Sequence, residues 1–192
     1  MRGDLWTPDE LAIDTREAAR RLLGAYLVRE LDGEMLVGRI VETEAYLGAG
    51  DPGSHAARGE TPRCRAMFGP PGRAYVYRIY GVHHCFNVVT EPEGTGAAVL
   101  VRALEPIQGE AVMRARRGSE ALTNGPGRIC QALGIDRALD GVDLTRRGPL
   151  YLLHGEAPQE AIATTTRIGL TQGAELPLRY ILPAHPWLSR PR

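Results

Sequence analysis

Tyr75-Val76-Tyr77-Arg78-Ile79-Tyr80 and His84-Cys85-Phe86-Asn87-Val88-Val89-Thr90 flank the short link Gly81-Val82-His83. Aromatic and β-branched residues alternate with others through both arms, and a glycine stands where the chain must turn, so residues 74–80 and 84–90 read as two strands with 81–83 as the tip between them. A link this short permits only antiparallel pairing. The pattern repeats outward. Residues 25–30 and 35–46 are strand-like and meet across Asp32-Gly33, a hairpin turn signal, and residues 97–104, 150–153, 161–168 and 178–182 supply further strands. Helices are fewer. Asp14 or Thr15 caps a short helix running to Gly24; Thr61-Pro62 opens another that ends near Gly69, before Pro70-Pro71-Gly72. Residues 106–117 and 126–133 begin on proline and stop at Gly118 and Gly134. Strands joined by turns rather than regular crossover helices predict an α+β fold: a curved, mostly antiparallel sheet flanked by helices, with a protruding β-hairpin.

A chain of 192 residues, 43% hydrophobic, is long enough for one core and short for two, so residues 1–192 are expected to form one domain. No apolar run approaches the roughly 18 residues of a membrane span, and Met1-Arg2-Gly3-Asp4 leads into polar sequence rather than the apolar stretch of a signal peptide. A soluble cytoplasmic protein with no membrane partner is expected. Cys64, Cys85 and Cys130 are odd in number and scattered, which predicts buried reduced thiols. His83-His84-Cys85 lacks a second ligand pair, and neighbours in a strand point to opposite faces, so no metal and no cofactor are expected.

Net charge is zero, which argues against holding nucleic acid by bulk electrostatics. The distribution is uneven: Arg58, Arg63, Arg65, Arg73 and Arg78 stand against Glu60 alone between residues 55 and 80. All 23 basic residues are arginine, so no lysine can form a Schiff base. Arg114, Arg116 and Arg117 read as a solvated helix face, while Arg128 follows Gly125-Pro126-Gly127 where helix amides could meet a phosphate.

Glu42, Glu44 and Tyr46 share one side of their strand, since side chains alternate with period two. The two acids lie roughly 6–7 Å apart at the backbone, from about 3.3 Å per residue. Three readings follow. The acids could form an acid–base pair in a sugar or nucleoside hydrolase. They could hold the sheet together by pairing with Arg39 or Arg102, as in a non-catalytic nucleic-acid-binding domain. Or one carboxylate could activate water for cleavage of a bond to a flat heterocycle stacked on Tyr46, Tyr75 and Tyr77.

Taken together, the motifs resemble the alkyladenine (3-methyladenine) DNA glycosylase family. They are Arg39-Ile40-Val41-Glu42-Thr43-Glu44-Ala45-Tyr46-Leu47-Gly48, Ser54-His55-Ala56, Thr61-Pro62-Arg63 with Met67-Phe68-Gly69, Tyr75 to Gly81 with Asn87, Val101-Arg102-Ala103-Leu104-Glu105-Pro106, and Gly125-Pro126-Gly127 with Leu133-Gly134-Ile135. Cys64 departs from the family's usual asparagine after Thr-Pro-Arg. The resemblance implies a monofunctional enzyme that excises damaged purines from double-stranded DNA, acting as a monomer associated with the nucleoid. It assigns Glu44 as the base that deprotonates water attacking C1′, and Arg102 as the residue that orients the water and the carboxylate. A backbone carbonyl near Ile168 would be a third ligand of that water. Tyr46, His55 and Tyr77 would wall the base pocket, and Asn87 would crowd the 2-amino group of guanine. Tyr80 would wedge into the minor groove from the hairpin tip, with Val82, His83, Arg63, Arg65 and Arg78 beside it on the DNA.

Overall fold

The computed structural model describes residues 3–189. Its eight strands are β1 (Tyr26–Leu31), β2 (Glu34–Tyr46), β3 (Ala74–Ile79), β4 (His83–Thr90), β5 (Ala97–Gln108), β6 (Leu150–Leu153), β7 (Ala163–Thr165) and β8 (Arg179–Ile181). They make one curved sheet in the order β3-β4-β5-β2-β1-β6, with β8 on β2 and β7 on β8, every pairing antiparallel. Thirteen-residue β2 is the spine. One edge pairs with β5 along nearly its whole length; the other takes β1 up to Arg39 and then β8 at Glu42–Glu44. Register shifts beside Glu42 mark where β2 bends between these partners.

Among the described residues there are four α-helices, α1 (Pro8–Leu11), α2 (Thr15–Arg21), α3 (Glu110–Arg117) and α4 (Pro126–Leu133), of which α2, α3 and α4 pack against the sheet. Asp14, not Thr15, caps α2, accepting from the amides of Arg16 and Glu17, while Thr15 is buried and bonds Thr90. Helix α1 was not anticipated, although Thr7 and Glu10 form the reciprocal capping box that would have announced it. The helix expected from Pro106 starts later. Pro106 lies in β5 opposite Gly38, next to a register shift that accommodates its missing N–H, and only after Gly109, at φ 80°, does α3 begin. The helix expected from Thr61 is a turn followed by a single 3-10 segment, Arg65–Phe68. Cys64, fully buried, has its Sγ within 3.1 Å of Thr61 Oγ1, so a thiol serves locally where an amide was expected. All three cysteines are free and buried.

Period-two alternation divides the central strands between two environments. Val41 and Ala45, Ala74 and Val76, Phe86 and Val88, and Val99, Val101 and Ala103 enter the main core beneath α2 and α4. Each of the buried valines and Phe86 contributes about 1.5–3 kcal/mol, and each alanine less. Their neighbours along the same strands face the other way and build the site.

Candidate active site

On that second face β2 presents Glu42, Glu44 and Tyr46, β5 presents Leu100 and Arg102, β3 presents Tyr75 and Tyr77, and β4 presents Cys85 and Asn87. Glu44 is fully buried. Its Oε2 accepts from the Tyr46 hydroxyl at 2.9 Å and from Arg102 Nη1 at 3.3 Å, and its Oε1 accepts the Ile168 amide N–H at 2.8 Å. Two donors fill Oε2, whereas Oε1 retains a lone pair. Burial pushes the Glu44 carboxyl above the usual carboxylate range, against the pull of Arg102, the Ile168 amide and the Tyr46 hydroxyl. Burial and the Glu44 charge push the Tyr46 phenol far up, so it remains a donor. Burial opposes the Arg102 charge, but Glu44 and Glu42 outweigh it and hold the guanidinium protonated.

Glu42, also fully buried, takes four donors, three of them on one oxygen. Arg102 Nε (3.1 Å), Arg179 Nε (2.7 Å) and the Ser189 hydroxyl (2.8 Å) donate to Oε1, and the Ser189 amide (2.7 Å) donates to Oε2. Three donors occupy Oε1, and Glu42 lines neither the cavity nor the cleft beside Glu44, which counts against its acting with Glu44 as an acid–base pair. Of the two arginines considered as partners for these acids, Arg102 grips both, while Arg39 pairs with Glu105 at 3.8 Å.

Beside Glu44 lies a cavity of about 110 Å³ lined by Tyr46, His55, Tyr75, Tyr77 and Asn87. A wider cleft of about 250 Å³ shares Tyr46 and Tyr77 with it and runs past Arg102 and Ile168 to Tyr80. The ring of His55 meets Tyr77 edge-on, 4.6 Å between centroids and 80° between planes, and its Nδ1 lies 2.8 Å from the Tyr75 hydroxyl. Burial, with Arg63 nearby, lowers the His55 pKa and leaves a neutral imidazole at pH 7. Asn87 is fixed by donating its side-chain N–H to the Tyr75 carbonyl at 2.9 Å. Ala56, Met67, Val89 and Ala98 form a small apolar cluster with Tyr75 that holds this wall, and Met67 itself lines the cavity.

The hairpin tip falls one residue earlier than expected: Tyr80-Gly81-Val82 turns the chain, and His83 already pairs with Ile79 as the first residue of β4. Tyr80 is 82% exposed and adopts φ 51°, a left-handed conformation unusual for a bulky side chain; Val82 is 70% exposed. Tyr80 lines the cleft, and Val82 stands beside it at the hairpin tip. Arg63 lies 5.7 Å over the Tyr77 ring. Arg58, Arg63 and Arg78 are exposed and form no ion pair among the described residues, but Arg65 pairs with Glu60 and Arg73 with Asp143, so the basic face is narrower than the sequence suggested. Arg128 donates to the Asn124 side chain at 2.9 Å.

Four contributors went unread in the sequence. Arg179 and Ser189 hold Glu42, and Asp51 with Arg167 forms a fully buried bidentate pair at 2.6 and 2.7 Å. Their partners lie more than a hundred residues away along the chain, where no local pattern points. The one available signal was an arginine inside an apolar run at 178–182.

A carboxylate kept basic by burial, next to a slot of aromatic walls, is the equipment of a hydrolase that cuts the N-glycosyl bond of a base. The sequence model of the methylpurine-DNA glycosylase family matches residues 9–186. Curated relatives that carry the provisional name 3-methyladenine DNA glycosylase are similar over most of their length. One from Carboxydothermus hydrogenoformans is 48% identical, covering 93% of this chain and 95% of its own; one from Methanoculleus marisnigri is 52% identical, covering 92% and 94%. A third, from Synechococcus elongatus, is 49% identical over 96% and 90%. The chain belongs to the methylpurine-DNA glycosylase family.

Proposed function

We propose that residues 1–192 act as one monomeric domain that binds duplex DNA, turns a damaged purine out of the helix into the aromatic slot, and hydrolyses its bond to deoxyribose. Substrates would be 3-methyladenine, 7-methylguanine, hypoxanthine and ethenoadenine. Water attacks C1′, its proton passes to the open lone pair of Glu44 Oε1, and the electron pair of the C1′–N bond departs with the purine. An abasic site remains, uncut, since no lysine amine is available to form the imine that precedes strand cleavage. Arg102 keeps the carboxylate ionised and aimed; a carbonyl near Ile168, whose amide already binds Glu44, would share the water. Tyr46, Tyr77 and His55 stack against the base, at about 1–3 kcal/mol per base, and a charged alkylpurine gains roughly 0.5–2 kcal/mol more from cation–π attraction. Asn87 disfavours guanine through its 2-amino group. Tyr80 fills the gap in the stack, with Val82 and His83 beside it on the DNA, and Arg63, Arg65 and Arg78 meet the phosphates. The protein would work in the cytoplasm at the nucleoid; among the described residues no helix is long and apolar enough to cross a membrane.

The observation carrying this reading is the buried Glu44 held by Tyr46, Arg102 and the Ile168 amide, all three residues lining the cleft that runs from Tyr80 to the aromatic slot. Duplex oligonucleotides with one hypoxanthine or ethenoadenine, incubated with excess enzyme and then treated with alkali, test it. Wild type should generate alkali-sensitive sites, and Glu44→Gln should bind the same duplex without doing so. An intact fold that processes neither lesion nor methylated DNA would reduce the reading to a DNA-binding domain.

A further inference from the structure

Behind Tyr46 lies a cation that the reaction as described does not use. The Arg167 side chain is completely buried and lines neither the base cavity nor the cleft, yet its guanidinium carbon sits 4.8 Å from the centroid of the Tyr46 ring. Tyr46 lines both spaces and Arg167 lines neither, so the guanidinium meets the ring without itself facing a base in the slot. The guanidinium is held rigidly: Nη1 donates to the Ala45 carbonyl (3.1 Å) and to Asp51 (2.6 Å), and Nη2 donates to Asp51 (2.7 Å) and to the Gly173 carbonyl (3.1 Å). Asp51 in turn accepts the amides of Leu47 and Gly53.

An aromatic ring attracts a cation through the negative charge over its faces. A guanidinium fixed against one face draws that density toward itself and leaves the opposite face a poorer partner for a second cation. Stacking of a neutral heterocycle is little affected. We infer that Arg167 is a specificity-determining residue, which through Tyr46 biases the slot away from positively charged alkylpurines and toward neutral damaged bases. The bias is chemically sensible, because a cationic purine leaves as a neutral base and needs less help than a neutral one. The inference rests on the glycosylase reading above, with Tyr46 as a wall of the base pocket.

Two substitutions in the same buried pair separate charge from scaffolding. Asp51→Asn leaves the arginine charged, since a guanidinium stays protonated in proteins, and strips its counter-ion. Asp51→Asn with Arg167→Met removes the charge. Single-turnover release of 7-methylguanine, in mildly acidic buffer that preserves its charge, is compared with release of ethenoadenine, and melting curves verify folding. The ratio of charged to neutral release should fall roughly three- to tenfold in Asp51→Asn and rise by a similar factor in the double variant. A purely structural role would move both ratios in one direction or neither, and either result overturns the inference. If the double variant does not fold, the single variant decides: a ratio that is unchanged or increased refutes the role of Arg167. Failure of the wild type to release either base would refute the glycosylase reading itself, and the two failures are thereby distinct.

Discussion

Glu42 and Glu44 are the same residue type, two positions apart on one face of β2, both fully buried and both bound by Arg102. Their surroundings differ. At Glu42, β8 brings Arg179 and the chain near the C-terminus brings the hydroxyl and amide of Ser189, so four donors surround the carboxylate. At Glu44 the covering chain contributes only the Ile168 amide, one lone pair stays open, and the cleft begins. A buried carboxylate acts as a strut when two guanidinium groups and a hydroxyl crowd one of its oxygens, and as a base when its less occupied oxygen is held by a group that lines the cleft, as the Ile168 amide holds Glu44 Oε1. Substitutions at the two positions should therefore fail in different ways.

The largest effect is expected for Glu44→Gln, a loss of about 10²–10⁴ in single-turnover rate, typical of removing a general base, with duplex affinity retained. The sign of the pH dependence follows from the raised pKa. Ionised Glu44 is the working form, so activity is lost as pH falls through a pKa above the ordinary carboxylate value, and the acid limb should lie higher than for an exposed glutamate. Ionising a group whose folded pKa exceeds its unfolded one costs stability: no penalty applies below the unfolded value, and all of it applies above the folded one. Glu42→Gln should instead lower stability by about 3–5 kcal/mol, since it leaves buried arginine charge without its partner, as read from denaturant midpoints. Among folded molecules the activity should survive, with the acid limb moved to lower pH because the Glu42 charge helps to raise the Glu44 pKa. If Glu42→Gln abolished catalysis in a folded protein, the two carboxylates would act as a pair after all.

What the sequence made legible follows the same division. Alternation identified the β3–β4 hairpin and the shared face of Glu42, Glu44 and Tyr46, because each is a local, period-two feature. Arg102 could be proposed as a partner of these acids, since it stands on a neighbouring apolar strand. The choice between strut and base could not be read, for it depends on Arg179, Ser189 and Ile168 arriving from 124 to 147 residues away. The 161–168 segment shows the cost of local reading. It was expected as one strand, but β7 ends at Thr165 because Arg167 leaves the sheet for Asp51 and the Ile168 amide for Glu44. Pro106 misled for another reason: proline suits a first helical turn, but it also suits a strand beside a bulge.

A smaller effect tests the cleft's outer end against its buried one. Tyr80 holds a left-handed backbone with its ring in solvent, an arrangement that costs about 1–3 kcal/mol and that glycine adopts freely. Tyr80→Gly should leave thermal stability unchanged or raise it, while excision from duplex DNA weakens by the equivalent of about 1–3 kcal/mol, the scale of a lost stacking contact. Gain of stability together with loss of duplex activity would mark Tyr80 as a residue kept for DNA. Equal activity on the duplex would remove it from the mechanism.

The smallest effect tests the strut most finely. Ser189→Ala deletes the hydroxyl donor to Glu42 Oε1 but keeps the amide donor to Oε2 and both arginines. A hydrogen bond to a charged group contributes about 1.5–3 kcal/mol, but here Oε1 keeps two guanidinium donors and the serine is half-buried, so about 1 kcal/mol of stability should be lost. The serine oxygen also lies 3.4 Å from Arg102 Nη2, on the side of the guanidinium that does not hold Glu44. Excision should accordingly slow by no more than about threefold, which corresponds to well under 1 kcal/mol. A tenfold loss of rate with stability intact would mean that the Glu42 network tunes Arg102 and, through it, the water on Glu44. The boundary between strut and base would then run through Arg102 rather than between the two carboxylates.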